Sequence, residues 1–453
     1  MRRPFFQKFK QITPAQFIVL SYLVAVIVST GLLMLPISQQ PGVRLQAFDA
    51  LFTATSAVSV TGLTTVNVSE TFSHFGIVMI MGMIHFGGIG IMALGTFIWI
   101  LLGQNISLSY RRLIMVDQNR TQLSGLVHLM RTILLLALIF ELGGALVFGT
   151  YFIAAGYYDN WITAYYHGLF HSISAYTNAG LDMFGNSMYS FSGDYFVQLV
   201  TMLLLVLGAI GFPVLIEVRE KLLRRDKQFK FSLFTKLTVT TFVLLVILGT
   251  TGIWIVESSV YFQNMSWHEK LFYSLFNSIS TRSGGLATMD VAEFTTPTQF
   301  LLSILMFIGA SPSSVGGGIR TTTLAVIMLT LATYAVGRTD VRVFRRTIRQ
   351  EDITKSFVVF STAVMIVIGA TMFLDAVERQ HFSLNKIIFE VCSAFGTSGL
   401  STGITGSLSG TGKMILIVLM FIGRIGILSL LFLFRTKVTK DRYHYPKEEL
   451  IIG

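Results

Sequence analysis

The sequence predicts an all-α integral membrane protein built from four consecutive units, each a span, a short re-entrant helix and a second span. Three observations predict it. Hydrophobic residues make up 53% of the 453 and charged residues only 13%, a balance far more apolar than chains folded in water carry. Eight apolar runs approach or exceed the roughly 20 residues that a helix needs to cross a bilayer core. Four times, at a period of about 110 residues that is too long for a solenoid, a run rich in Ser, Thr and aromatics climbs to a glycine followed by leucine.

The units follow in order. The first, residues 16–103, pairs spans 17–35 and 77–102, with Leu51-Phe52 leading to Thr61-Gly62-Leu63 between them. The second, 132–220, pairs 133–155 with 196–216 around Leu169-Phe170 and Ala179-Gly180-Leu181. The third, 236–337, pairs 237–256 with 300–336 around Leu275-Phe276 and Gly284-Gly285-Leu286. The fourth, 357–436, pairs 357–374 with 414–434 around Ile388-Phe389 and Ser398-Gly399-Leu400. Tails 1–15 and 437–453 flank them. The first run follows Met1-Arg2-Arg3 but has no small-residue cleavage pattern before Pro36, so it reads as a retained span rather than a signal peptide.

Lys and Arg set the orientation. The N-terminal tail, the segments 104–131, 218–236 and 337–356, and the stretch 435–453 hold 26 of the 34. Eight spans with both ends on the basic side place the N- and C-termini in the cytoplasm of a cell-membrane protein, and every re-entrant segment enters from outside. The net charge of +11 lies where this rule puts it and implies no nucleic-acid partner. Cys392 is the only cysteine, so no intrachain disulfide forms.

Non-helical backbone is tolerated at membrane depth only where protein or a water-filled cavity satisfies its peptide groups. The segments ending at Gly62, Gly180, Gly285 and Gly399 meet that condition if they converge on one axis, with glycine supplying backbone angles denied to other residues. Their preceding carbonyls then form rings that replace the hydration shell of a cation, and the short helices aim their negative dipole ends at the same axis. Selectivity of this kind lives on the backbone. The side chains before the glycines accordingly differ between copies: Val60-Thr61, Asn178-Ala179, Ser283-Gly284 and Thr397-Ser398. One glycine in a polar outer stretch ordinarily marks a turn; four at matched positions describe a pseudo-four-fold cation pathway.

These residues carry a resemblance to the membrane subunit of the Trk/Ktr/HKT potassium transporters, most closely the bacterial Ktr type, over residues 14–435. The resemblance implies that Gly62, Gly180, Gly285 and Gly399 are filter glycines. Some plant relatives carry serine at the first position, so Gly62 implies preference for potassium over sodium. It also implies a homodimer with one pore per protomer and a cytosolic ring of nucleotide-binding, RCK-type subunits. Any nucleotide then sits on the partner, and sodium stands as a candidate activator. The third copy is one residue shorter and carries Arg282 beside the filter, expected to tie its helix to nearby carboxylates or carbonyls such as Asp290.

The sixth span is interrupted by Gly309-Ala310-Ser311-Pro312-Ser313-Ser314-Val315-Gly316-Gly317-Gly318. Proline and a glycine run do not continue a lipid-facing helix, so this loop is expected in the protein-lined pathway below the filter. The resemblance implies that it is an intramembrane gate. Arg424, mid-way along the last span, marks a functional position by default: it either faces the pathway and holds the loop, or pairs with Glu141, Glu217 or a loop carbonyl. His85 reads as a hydrogen-bonded packing histidine, His167 and His171 as packing or hydration rather than metal ligation, and Glu141 and Glu217 as partners of basic residues.

The sequence therefore reads as a potassium-translocating subunit with potassium at the filter as its only metal, and not as an enzyme. The two other readings are an ion-coupled secondary transporter, such as a sodium/potassium symporter, and a polytopic membrane enzyme. The units share one orientation, unlike inverted repeats. No H-E-x-x-H, G-x-S-x-G or complete phosphate loop is present.

Overall fold

The computed structural model describes residues 13–90, 125–224, 229–433, 446 and 448. One pattern of helices recurs four times. The long outer helices are Pro14–Leu33, Leu126–Ala154, Leu233–Glu257 and Gln350–Glu378, all apolar and long enough to cross a membrane. Each is followed by a short helix: Ala47–Ser59, Trp161–Tyr176, Trp267–Ser280 and Leu384–Gly396. The inner segments then start at His74, Tyr195, Thr296 and Gly410.

Capping explains several of these starts. Asn160 accepts from Ile162 N and Ser266 forms a capping box with Glu269. The Ser266 hydroxyl and amide hold the Glu269 carboxyl below its usual range, as expected where donors favour the charged form. The inner segments open with Ser73, Asp194, Thr295 and Ser409 at their N-caps. In the third and fourth units a carboxylate ending the outer helix grips that cap: Glu257 accepts from Thr295 N at 3.0 Å and Glu378 from Ser409 N at 2.9 Å.

The inner segments depart from the expected spans. Only the third was read as interrupted, yet Tyr195–Ala209 and Phe212–Arg224 meet at 104°, and Gly410–Ile425 and Ile427–Leu433 at 98°. The first inner helix, His74–Ile89, ends at Gly90, and the rest of its predicted run lies outside the described residues. The second and fourth segments break at Gly211 and Gly426, and the first helix ends at Gly90, all near φ +85° to +100°, angles that interrupt a right-handed helix and suit glycine. The third segment breaks between Thr296–Phe307 and Thr321–Ala335, where the Gly- and Pro-containing loop was placed.

Small residues bring inner and short helices into contact. Gly87, Gly208 and Gly423 lie directly on the carbonyls of Val58, Tyr176 and Phe395, each four residues before the glycine that ends its unit's motif. Behind them Phe52, Phe170, Phe276 and Phe389, the aromatics of the four Leu/Ile-Phe pairs, are fully buried. Truncating such a residue costs about 3–5 kcal/mol in a packed core, so these rings anchor the short helices.

Candidate functional site

The four short helices end at one place and unwind there with one backbone signature. Val60, Asn178, Ser283 and Thr397 lie at φ +58°, +56°, +71° and +47°, and Gly62, Gly180, Gly285 and Gly399 at +98°, +65°, +71° and +91°. Between them Thr61, Ala179, Gly284 and Ser398 keep negative φ. This alternation turns successive carbonyls toward one side, where a strand of uniform φ sends them to opposite faces. A β-branched valine held at positive φ costs energy and persists only where its surroundings over-determine it.

The glycines form a closed circle. A β-carbon added at Gly62 would lie 2.6 Å from Ala179 O, at Gly180 3.2 Å from Gly284 O, and at Gly285 2.5 Å from Ser398 O; at Gly399 it would strike Thr61 O. Each unit's glycine thus abuts the carbonyl preceding the glycine of the next unit, and the fourth returns to the first. A side chain at any of the four would displace backbone of the neighbouring unit.

The amides around this circle point backward into the short helices. Thr61, Ala179 and Ser398 donate to the carbonyls of Ser56, Ser174 and Ser393 at 2.8–2.9 Å. The hydroxyls of Ser56 and Ser393 accept from the amides of Gly62 and Gly399 at 3.0 and 3.1 Å. Those of Ser174 and Ser280 donate to Leu181 O and Leu286 O at 2.5 Å. In the shorter third copy Gly284 donates to Ser280, four residues back instead of five, at 2.6 Å. The tighter turn absorbs the missing residue and leaves Gly284 O at the ring. Among the described residues no donor reaches the carbonyls of Thr61, Ala179, Gly284 or Ser398. Buried acceptors ordinarily find a partner; four converging on one point suit a dehydrated cation.

The loop between residues 308 and 320 lies against this ring. Gly317 N donates to Thr397 Oγ1 at 2.8 Å, and Gly316 packs on Ser283, so the loop touches the residues two before the glycine in units three and four. On its other flank Ser311 N donates to Ala209 O at 3.0 Å and Val315 N to Gly208 O at 3.3 Å, while Phe212 N donates to Ser313 O at 2.9 Å. Thus Ser311, Ser313 and Val315 lie on the break in the second inner segment. Pro312 and Ser313 face a larger cavity of about 770 Å³, which is also lined by Glu217 and Asp352. Gly309 and Gly318 close the base of the loop against each other.

The arginines find carbonyls, not carboxylates. Arg424 donates to Val315 O in the loop and to Gly87 O and Gly88 O of the first inner helix. Neither Glu141 nor Glu217 is its partner, and a loop carbonyl is. Arg282, 1% exposed, donates to Leu305 O and Thr281 Oγ1. The expected Asp290 instead accepts from Ala292 N, because Arg282 reaches across to the carbonyl of Leu305 on the third inner helix rather than into the outer turn. Arg320 donates to Ser311 O and Gly316 O.

The remaining singled-out residues also find local partners. Glu141 pairs with His85 at 3.2 Å, whereas Glu217 accepts from the amide of Ser232 at 3.0 Å instead of from a basic side chain. His167 contacts Tyr158 OH at 3.0 Å and His171 contacts Thr201 Oγ1 at 2.9 Å.

Sequence reasoning missed the serines behind the ring, although Ser56, Ser174 and Ser393 stand six residues before their glycine and Ser280 five. It also missed Glu390, fully buried in the fourth short helix, whose carboxylate accepts from Ser401 Oγ, Thr402 N and Thr405 Oγ1 at 2.7–2.9 Å. That carboxylate braces the turn that follows Gly399.

A ring of undonated backbone oxygens, four-fold in one chain of apolar helices, is the geometry of a multi-pass membrane protein with a backbone suited to a dehydrated cation. Comparison with known proteins gives the family. The model of the TrkH family, described as a cation transport protein, matches residues 7–445, and the chain belongs to that family, as the four glycine motifs led one to expect. It is 52% identical over 453 residues to the Ktr system potassium uptake protein D of Bacillus subtilis, covering 100% of both chains. It is 35% identical over 449 residues to the Ktr system potassium uptake protein B of the same organism, covering 98% of each. Among solved structures, the crystal structure of the potassium transporter TrkH from Vibrio parahaemolyticus matches 94% of this chain and 86% of that one with a TM-score of 0.72. At 19% identity that match speaks for the fold.

Proposed function

We propose that this chain is the ion-translocating membrane subunit of a potassium uptake system. The observation that carries the reading is the closed circle in which each glycine meets the next unit's undonated carbonyl. The names of the two Bacillus relatives support potassium as the ion. In this reading units 16–103, 132–220, 236–337 and 357–436 contribute one quarter of the filter each. Potassium sheds its water against the backbone of Val60-Thr61-Gly62, Asn178-Ala179-Gly180, Ser283-Gly284-Gly285 and Thr397-Ser398-Gly399. Gly62 favours potassium over sodium.

Loop 309–318 is the barrier: it fills the space against Ser283 and Thr397, and Arg424 ties it to the first inner helix. An ion crosses only when the loop leaves. The protein works as a homodimer in the cell membrane, with tails 1–15 and 437–453 in the cytoplasm. An RCK-type ring there carries the nucleotide and moves the loop, and sodium acts as an activator. The basic segments 221–230 and 338–349 and the C-terminal tail are its docking surfaces.

The test is rubidium flux into proteoliposomes holding the purified dimer, with and without the cytosolic ring and with sodium as competitor. Selective flux that the ring increases is the expected result. Folded protein that carries no rubidium in the presence of the ring would overturn the reading.

A further inference from the structure

Ser313 and Ser314 of the loop border a second, smaller cavity of about 80 Å³, lined also by Tyr22, Arg320, Arg424 and Ser429. Two guanidiniums share this space and lie within electrostatic reach of each other. Among the described residues no carboxylate lines the cavity, and neither arginine makes an ion pair. Their hydrogen-bond partners are neutral carbonyls, of Ser311 and Gly316 for Arg320 and of Val315, Gly87 and Gly88 for Arg424. A carbonyl orients a guanidinium without cancelling its charge, and like charges brought together out of water need a counter-charge.

Two donors are moreover left over. Arg424 Nε and Ser314 Oγ are buried and have no partner. A site of two positive charges, a spare N–H and a spare hydroxyl is complementary to an anion, and among the described residues no negatively charged group lines it to attract a cation. Size narrows the choice. A water needs about 10–15 Å³ of such space, so the cavity has room for a small anion with a few waters and is too small for an anion of gluconate's size.

We propose that the cavity between Arg320 and Arg424 is a binding site for a small monovalent anion of chloride size. The bound anion bridges the loop, through Ser314 and Arg320, to the fourth inner segment through Arg424. It therefore favours the arrangement in which the loop lies against the ring. The site follows from charge and cavity alone; its effect on flux rests on the transport reading.

The experiment titrates full-length purified protein with sodium chloride at ionic strength held constant by sodium gluconate, and follows the thermal unfolding midpoint. Chloride and bromide are expected to raise the midpoint saturably, and gluconate to leave it unmoved. Arg424→Gln is expected to abolish the response. Ser314→Ala, which keeps both charges, is expected to weaken apparent chloride affinity roughly threefold to tenfold, the loss of one neutral hydrogen bond. It carries the test if the arginine variant does not fold. Equal midpoints in chloride and gluconate, or an unchanged saturable response in folded Arg424→Gln or Ser314→Ala, would overturn the site. Parallel rubidium flux, measured in gluconate with the cytosolic ring present, separates the two readings: protein that carries rubidium but ignores chloride in the unfolding assay overturns the anion site alone, and protein that binds chloride but carries no rubidium under these conditions supports the site and counts against transport.

Discussion

Gly62→Ser perturbs the ring at one atom and leaves the charge of the pathway unchanged. The native φ of +98° is closed to most side chains, and holding serine there costs about 1–3 kcal/mol. The new β-carbon would lie 2.6 Å from Ala179 O, whereas real β-carbons almost never come closer than 3.0 Å. The ring oxygen of the second unit must therefore retreat by roughly 0.4 Å before the contact is tolerable. That displacement is comparable to the difference in radius between potassium and sodium, and it opens one side of the circle. Discrimination between the two ions is expected to fall at least about tenfold, or ~1.4 kcal/mol. The assay is rubidium uptake into proteoliposomes against a sodium series, run on protein that elutes as the native oligomer. A folded Gly62→Ser protein with native selectivity would refute the placement of this ring on the ion's path.

Other perturbations follow from the same geometry. Deleting residues 313–317 removes the loop from the ring and is expected to raise rubidium influx at equal abundance in the membrane; unchanged flux would count against a barrier. Arg424→Gln loses a charged hydrogen bond to Val315 O, about 1.5–3 kcal/mol, so the balance between loop positions shifts roughly ten- to a hundredfold, read as increased flux in single-turnover uptake. Ser393→Ala strips the partner from the Gly399 amide and is expected to lower stability by about 1–3 kcal/mol, seen as a lower unfolding midpoint in detergent; Ser393→Thr, which keeps the hydroxyl, should retain most of it. Glu390→Gln replaces one of the two acceptor oxygens in the turn after Gly399 with an N–H donor, so the bond from Thr405 must reverse and the charge assistance of all of them is lost; it is expected to lower the midpoint and loosen selectivity together, whereas a stability loss with native selectivity would confine Glu390 to a structural role.

Much of the fold was legible because its causes are local. The outer helices announce themselves by length and hydropathy, and the third inner segment by proline and glycines that no helix continues. The breaks at Gly211 and Gly426 were not legible in the same way. A single glycine inside an apolar run is compatible with a continuous helix, and only its positive φ in the folded chain turns it into a corner. Arg282 and Arg424 illustrate a second limit. The sequence left carboxylates and carbonyls both open as partners, and both arginines settled on carbonyls, which every residue carries and which therefore leave no mark in the sequence that would decide between them.

What the sequence by itself determined is the membrane class, the four-fold repetition and the four glycines, since each depends on composition or on the backbone freedom of one residue type. Only the tertiary structure decided that the glycines close into a circle in chain order, that the short third copy keeps its carbonyl in line, and that the loop lies on Ser283 and Thr397. Those facts depend on backbone atoms brought together from units about a hundred residues apart. Packing of whole helices places such atoms, and no local pattern of side chains encodes it.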